Sequence, residues 1–267
     1  MEKIALAAEK NNSLVCVGLD PDLAKLPDCV KSAADPIFEF NKQIIDATKD
    51  LVCAYKPQAA YYAGQDCDES LKKSIAYIKE NAPDVPVILD VKRGDIGSTA
   101  EYYAKEAFDR YNADAVTVNP YMGLDAVKPF LDYADKGVII LCRTSNPHSG
   151  DLQNLVADGH MLYEHVAMLV RDRWNYNSNA ALVIGATYPE ELKKIRTICP
   201  ELPFLVPGVG AQGGDVQKVI ENGANAAGTG LIINSSRGII YASKGEDFAE
   251  KAGEAAKELR DLINSYR

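Results

Sequence analysis

Eight short apolar runs recur along this chain, and stretches of helical spacing separate them. The runs are Ser13–Leu19, Leu51–Lys56, Val85–Val91, Ala115–Val118, Gly137–Cys142, Ala181–Ile184, Phe204–Val206 and one within 226–233. Helical patterns fall over Pro36–Thr48, Glu69–Asn81, Ser98–Tyr111, Leu124–Ala134, His160–Asn175, Pro189–Thr197 and Asp215–Glu221. A closing helix covers about Gly245–Ser265. Runs that are apolar on both faces are what a parallel sheet covered by helices requires. Eight such units in 267 residues predict an α/β fold, a single-domain (β/α)8 TIM barrel over residues 1–267. A doubly wound open sheet is the competing architecture. No Pro/Gly/Ser-rich linker or composition shift divides the chain. The polar stretch 146–158 carries no clear pattern.

The formal net charge of −9 disfavours nucleic acid and acidic membranes as partners. The six cysteines contain no C-x-x-C pair, which suits reduced thiols in a cytoplasmic protein. Met1–Asn11 reads as an amphipathic helix and lacks the apolar centre of a signal peptide. No apolar run approaches the roughly 20 residues that span a bilayer.

In a barrel of this kind, active-site residues gather at the C-terminal strand ends. The ends here are rich in polar groups: Asp20, Lys56, Asp90 to Asp95, Asn119, Arg143 to Asn146, Pro207 to Gly214, and Asn234 to Arg237. That concentration at one rim points to an enzyme. The densest stretch is Asp90-Val91-Lys92-Arg93-Gly94-Asp95-Ile96. Residues two apart on a strand share a face, so Asp90 and Lys92 should point the same way. A purely stabilising ion cluster is a weak explanation, because buried pairs return little net stability. A preorganised electrostatic site, with Lys92 as proton donor, is the better one.

Gly208, Gly210 and Gly213 match G-x-G-x-x-G, but the dinucleotide reading wants an acid at the end of the next strand. That strand ends Ile232-Ile233-Asn234. A phosphate cradle fits better than this or a plain glycine-rich connection, with backbone N–H groups and the helix start near Asp215 facing the anion. Gln212 and Arg237 would add side-chain donors. His148, His160 and His165 are scattered and suggest no metal site. A hard cation on Asp20, Asp90 or Asp95 would be opposed by the two lysines. Trp174 and Tyr61-Tyr62 read as packing, and no cofactor motif is present.

The pattern Asp90-x-Lys92-x-x-Asp95-Ile96-x-x-Thr99 resembles the signature of the orotidine 5'-monophosphate decarboxylase family. The likeness extends to Gly18-Leu19-Asp20, Ala54-Tyr55-Lys56-Pro57-Gln58, Ser145-Asn146-Pro147, the 207–214 loop and Asn234-Ser235-Ser236-Arg237, and is similar to the longer bacterial branch. The resemblance implies decarboxylation of orotidine 5'-monophosphate to uridine 5'-monophosphate without metal or organic cofactor. It implies that Lys92 protonates C6 and that Asp90 lies against the substrate carboxylate. Lys56 would hold Asp90 and a ribose hydroxyl, and Asp20 would also bind ribose. Ser145 would meet the pyrimidine, and Gln212 and Arg237 the phosphate. Ile96, Pro207, Gly208 and Gly213 would complete the substrate contacts. Asp95 and Thr99 would reach into a neighbouring subunit's site, making the working unit a homodimer. Two departures stand out. Arg237 comes several residues after the last apolar run, and 146–180 is longer than a minimal barrel needs. Magnesium-dependent sugar-phosphate decarboxylases and aldol-type synthases share the D-x-K-x-x-D core; Lys56 and Ser145 argue against that alternative. A nucleotide sensor on the same scaffold would not need the intact lysine–aspartate set.

Overall fold

The apolar runs form eight parallel strands in a computed structural model that describes residues 1–209 and 215–267. They are β1 (Val15–Leu19), β2 (Ala54–Pro57), β3 (Ile88–Arg93), β4 (Ala115–Val118), β5 (Gly137–Arg143), β6 (Ala180–Ile184), β7 (Phe204–Pro207) and β8 (Leu231–Ser235). Hydrogen bonding runs from β2 through β1, β8, β7, β6, β5 and β4 to β3. Parallel bridges Tyr55–Val87 and Gln58–Asp90 then join β2 to β3. That junction closes the sheet, so the chain is a (β/α)8 barrel and not an open doubly wound sheet.

Strand alternation sorts the core into two layers. Val15, Val17, Val116, Val138, Ile140, Val206 and Ile233 face the surrounding helices. Cys16, Ala54, Ile88, Ala115, Ile139, Ala181, Leu205 and Ile232 form one inward ring, one residue from each strand. Small and branched side chains share that ring, filling the barrel as a packed core. The N-terminal helix Glu2–Lys10 closes the floor, with Ile4 packed against the ring.

The helix that follows β1 in the barrel, Pro36–Thr48, begins where its signal lies. Asp35 caps Pro36–Thr48 by accepting from the Phe38 N–H at 3.1 Å, with Pro36 in the first turn. That helix packs on the closing helix Phe248–Asn264, where the Phe40 and Phe248 rings stack at 5.2 Å.

Two segments differ from the expectation. Residues 146–158 are not a patternless loop. They hold a short helix, Gly150–Gln153, and one strand of a hairpin pairing Val156–Ala157 with His160–Met161. Asp158 and Gly159 both take positive φ, 48° and 79°, as a tight two-residue hairpin turn requires. His160 therefore lies on the hairpin. The next helix starts at Leu162, where Glu164 accepts from the Met161 N–H at 2.8 Å. Trp174 and Tyr62 are buried as expected, but Tyr61 is exposed. All six cysteines are free thiols. No helix among the described residues is long and apolar enough to cross a membrane.

Candidate active site

Two residues beyond the packed ring, towards the C-terminal ends, alternation brings a second ring inward. It comprises Gly18, Lys56, Asp90, Thr117, Leu141, Val183, Pro207 and Asn234. The β5 and β6 side of this ring is apolar. The arc from β8 through β1 to β4 carries an amide, a glycine, an ammonium, a carboxylate and a hydroxyl. Gly18 keeps the β1 position open: a Cβ there would stand 2.7 Å from Ser236 Cβ and 3.3 Å from Asn234 Oδ1.

Asp90 is the centre of that arc. Lys56 Nζ donates to its Oδ2 at 2.9 Å, and Lys92 Nζ donates to its Oδ1 at 2.7 Å. Thr117 Oγ1 also donates to Oδ1, at 2.7 Å. Asp90 and Lys56 are both buried, whereas the Lys92 side chain stays 43% exposed and faces the opening. Burial works against charge on Asp90, but Lys56 and Lys92 overcome it and hold the carboxyl well below its usual range. Burial likewise opposes charge on Lys56, and the Asp90 and Asp20 carboxylates outweigh it, so its pKa is raised. Asp90 is therefore held as a carboxylate and Lys56 as its ammonium partner. Asp90 carries no proton to give, so an acid in this cluster has to be one of the lysines.

Regular strand geometry does not hold at Lys92. The β3–β4 register runs from Leu89 opposite Val116 to Arg93 opposite Val118, a bulge in β3. Lys92 takes φ 48°, a conformation rare for a side chain of this kind. The bulge turns its ammonium back onto Asp90, where an unbroken strand would hold the two side chains apart as parallel neighbours.

A different charge cluster occupies the β5–β6 side. A bulge also separates Leu141 and Arg143 in register, and Arg143 is 2% exposed among the surrounding helices. Its guanidinium pairs with Glu191 and donates to Gln153 Oε1 at 3.1 Å and to Ser149 Oγ at 2.5 Å. It lies 4.3 Å from the Tyr188 ring centroid. Gln153 in turn accepts from the Thr144 N–H at 2.9 Å. A Cβ on Gly185 would meet Ser145 Cβ at 2.7 Å, so that glycine permits β6 to press against the Ser145 backbone. The expected pyrimidine contact is thus mounted on a braced loop. Neither Arg143 as a brace nor Thr117 as a ligand of Asp90 was an expectation from sequence. The signal for Thr117 was its polarity within the apolar run Ala115-Val116-Thr117-Val118.

The remaining expected residues distribute around the rim. Asp20 follows β1, and its Oδ1 is buried without a partner among the described residues. Asn234 Oδ1 on β8 is in the same condition. Buried acceptors left open at the mouth of a barrel suit ligand hydroxyl or amide donors. Pro207 ends β7 and Gly208 follows it at φ 95°. Gln212 and Gly213 lie outside the described residues. Arg237 opens the short helix Arg237–Ile240 after β8 and is exposed. Asp95 accepts from the Ile96 N–H at 2.8 Å. Ile96 and Thr99 are exposed at the start of the helix Gly97–Lys105. The Lys56–Asp90–Lys92 part of the expected site is therefore assembled within one chain, and the Asp95–Thr99 part faces outward.

The orotidine 5'-phosphate decarboxylase / HUMPS family model matches residues 13–252. This chain belongs to that family. Orotidine 5'-phosphate decarboxylase of Cellvibrio japonicus is 57% identical to it over 269 residues, covering 100% of this chain and 98% of the relative. That of Dechloromonas aromatica is also 57% identical, covering 100% and 99%. Among solved structures, Leishmania donovani OMP decarboxylase superposes with a TM-score of 0.86 at 39% identity, covering 99% of this chain and 97% of that one. These full-length relatives are named as decarboxylases, and the chain is an enzyme of that class, a carboxy-lyase. Its barrel is the fold of these solved relatives.

Proposed function

We propose that the chain performs the decarboxylation for which its full-length relatives are named, converting orotidine 5'-phosphate to uridine 5'-phosphate and carbon dioxide. Loss of carbon dioxide from C6 of the pyrimidine leaves an electron pair in the ring plane, where the π system stabilises it poorly. Stabilisation has to come from a positive charge placed beforehand. Lys92 meets that need: its ammonium is 2.7 Å from an ionised, buried carboxylate, yet open to the mouth of the barrel. That single geometry carries the reading. Lys92 first opposes the developing charge and then transfers its proton to C6. Asp90 holds the ammonium in place and lies where the departing carboxylate would be repelled.

The other residues bind. Lys56 and Asp20 take the ribose hydroxyls, Ser145 the pyrimidine, and Arg237 with the 207–214 loop the phosphate. Enzymes lower barriers by roughly 8–23 kcal/mol, and one ammonium supplies a fraction of that. Phosphate binding, remote from C6, contributes by drawing the reacting ring into the charged arc.

A divalent cation at Asp90 would have to displace an ammonium from each of its two oxygens. This favours the metal-free reading over a magnesium-dependent sugar-phosphate enzyme. Purified protein dialysed against EDTA is expected to consume orotidine 5'-phosphate, followed by ultraviolet absorbance, at an undiminished rate. Loss of turnover restored by magnesium would sink the proposal.

We further propose a homodimer in the cytoplasm, with Asp95 and Thr99 serving the partner's site. Ile96, Tyr102, Tyr121 and Met122 expose apolar surface in the segments after β3 and β4. Gly94 brings those segments together, since a Cβ there would stand 3.0 Å from the Asn119 carbonyl oxygen. Sedimentation at assay concentration checks the pairing, and a fully active monomer contradicts it.

A further inference from the structure

We infer that Thr117 is a positioning residue for the proton donor: its hydroxyl locks the β3 bulge that aims Lys92. This inference rests on Lys92 acting as the acid.

A hydroxyl has one proton and two lone pairs. In Thr117 all three are committed. The proton goes to Asp90 Oδ1 at 2.7 Å. The lone pairs accept from the Val91 N–H and the Lys92 N–H, both at 3.0 Å. Those two N–H groups lie in the bulge, where β3 has more residues than β4 can pair. Bulges leave backbone donors without a ladder partner, and partly buried donors need one. A single β4 side chain supplies both.

The same hydroxyl therefore touches both ends of the Lys92 arrangement. At the backbone it secures a residue at φ 48°, which a lysine does not adopt without support. At the side chain it shares Asp90 Oδ1 with the Lys92 ammonium. Backbone and carboxylate are tied to one oxygen atom, so the ammonium has a fixed origin and a fixed target. Thr117 sits inward on β4, two residues above the packed ring, where its methyl group adds to the barrel lining. Valine would match its shape and remove every one of these bonds. The freed N–H groups would then favour a re-registered β3, with Lys92 leaving Asp90.

The test compares Thr117→Val, Thr117→Ser and Lys92→Ala in turnover of orotidine 5'-phosphate, with binding of uridine 5'-phosphate measured on each. Thr117→Val is expected to lower kcat by about ten- to a hundredfold, in line with losing hydrogen bonds to a charged group and to strained backbone. KM and the uridine 5'-phosphate Kd should stay within about threefold, because binding groups are untouched. Thr117→Ser retains the hydroxyl and should recover kcat to within about threefold of the parent. A valine variant with parental kcat, a serine variant as slow as valine, or a loss confined to KM would each overturn the inference. If the valine variant does not fold, Thr117→Cys takes its place. Its weak S–H donor should leave kcat below that of Thr117→Ser and above that of Lys92→Ala; parental kcat in the cysteine variant would overturn the inference. Substantial turnover by Lys92→Ala would instead show that the underlying assignment of the acid is wrong.

Discussion

Two buried charge clusters among the described residues lie at the C-terminal ends of the strands. At β5–β6, Arg143 is enclosed by Glu191, Gln153, Ser149 and the Tyr188 ring. At β2–β4, Asp90 is enclosed by Lys56, Thr117 and Lys92, but the Lys92 side chain remains 43% exposed. Both clusters sit beside a bulge. The Arg143 cluster turns its charge into the framework and braces the Ser145 loop. The Asp90 cluster uses its framework to present a charge to whatever enters the mouth. Burial of a charge alone does not mark an active site; a charge fixed by buried partners and left open on one side does.

Removing the centre of each cluster should separate these roles. Asp90→Asn is expected to lower kcat by at least about a hundredfold, since Lys92 loses the group that fixes it. It should also destabilise the fold by about 3 kcal/mol, because buried Lys56 loses the carboxylate it hydrogen-bonds and keeps only Asp20 as a nearby counter-charge. Steady-state kinetics and denaturant titration measure the two losses. A stable variant with parental kcat would erase the distinction between the clusters.

Arg143→Met should be the milder change. It is expected to destabilise by about 2–3 kcal/mol, below the range for a fully buried pair because Glu191 is partly exposed. KM should rise more than kcat falls as the Ser145 loop loosens. Adding Glu191→Leu should restore most of the stability, since a framework ion pair can be exchanged for apolar packing. Denaturant midpoints of single and double variants decide this; a double variant no more stable than the single contradicts the framework role.

The smallest effect is in the pH dependence of stability. The Asp90 pKa is depressed in the fold, so its contribution is present above the ordinary value of about 3.9 and is lost as pH falls through the folded value. The Lys56 pKa is raised, so its contribution is complete below about 10.4 and is lost as pH rises through the folded value. Between these limits the cluster's contribution should be flat. Unfolding midpoints across acid pH should fall less steeply for Asp90→Asn than for the parent; equal slopes would show that Asp90 is not the linked group.

Much of this was legible in the sequence. Strands covered on both faces are apolar throughout, so Ala115–Val118 and Gly137–Cys142 announced themselves. Charged residues ending those strands marked the rim, and there Lys56 and Lys92 both bond Asp90. The bulge at Lys92 was not legible, because it depends on the register between β3 and β4 and not on either strand alone. Thr117 was hidden for a related reason: a β-branched residue in a strand is ordinary until its hydroxyl is seen to have three partners. The Asp158-Gly159 turn was readable, since Asp-Gly is a hairpin signal, but its two-residue strands are too short to show alternation.

On the proposed reading, Lys92, held by Asp90, is the acid that delivers the proton to C6. Turnover of orotidine 5'-phosphate by Lys92→Ala, measured beside the parent, tests it most directly. A loss of at least about a thousandfold in kcat with the fold intact is expected. Parental turnover by the folded variant would contradict it.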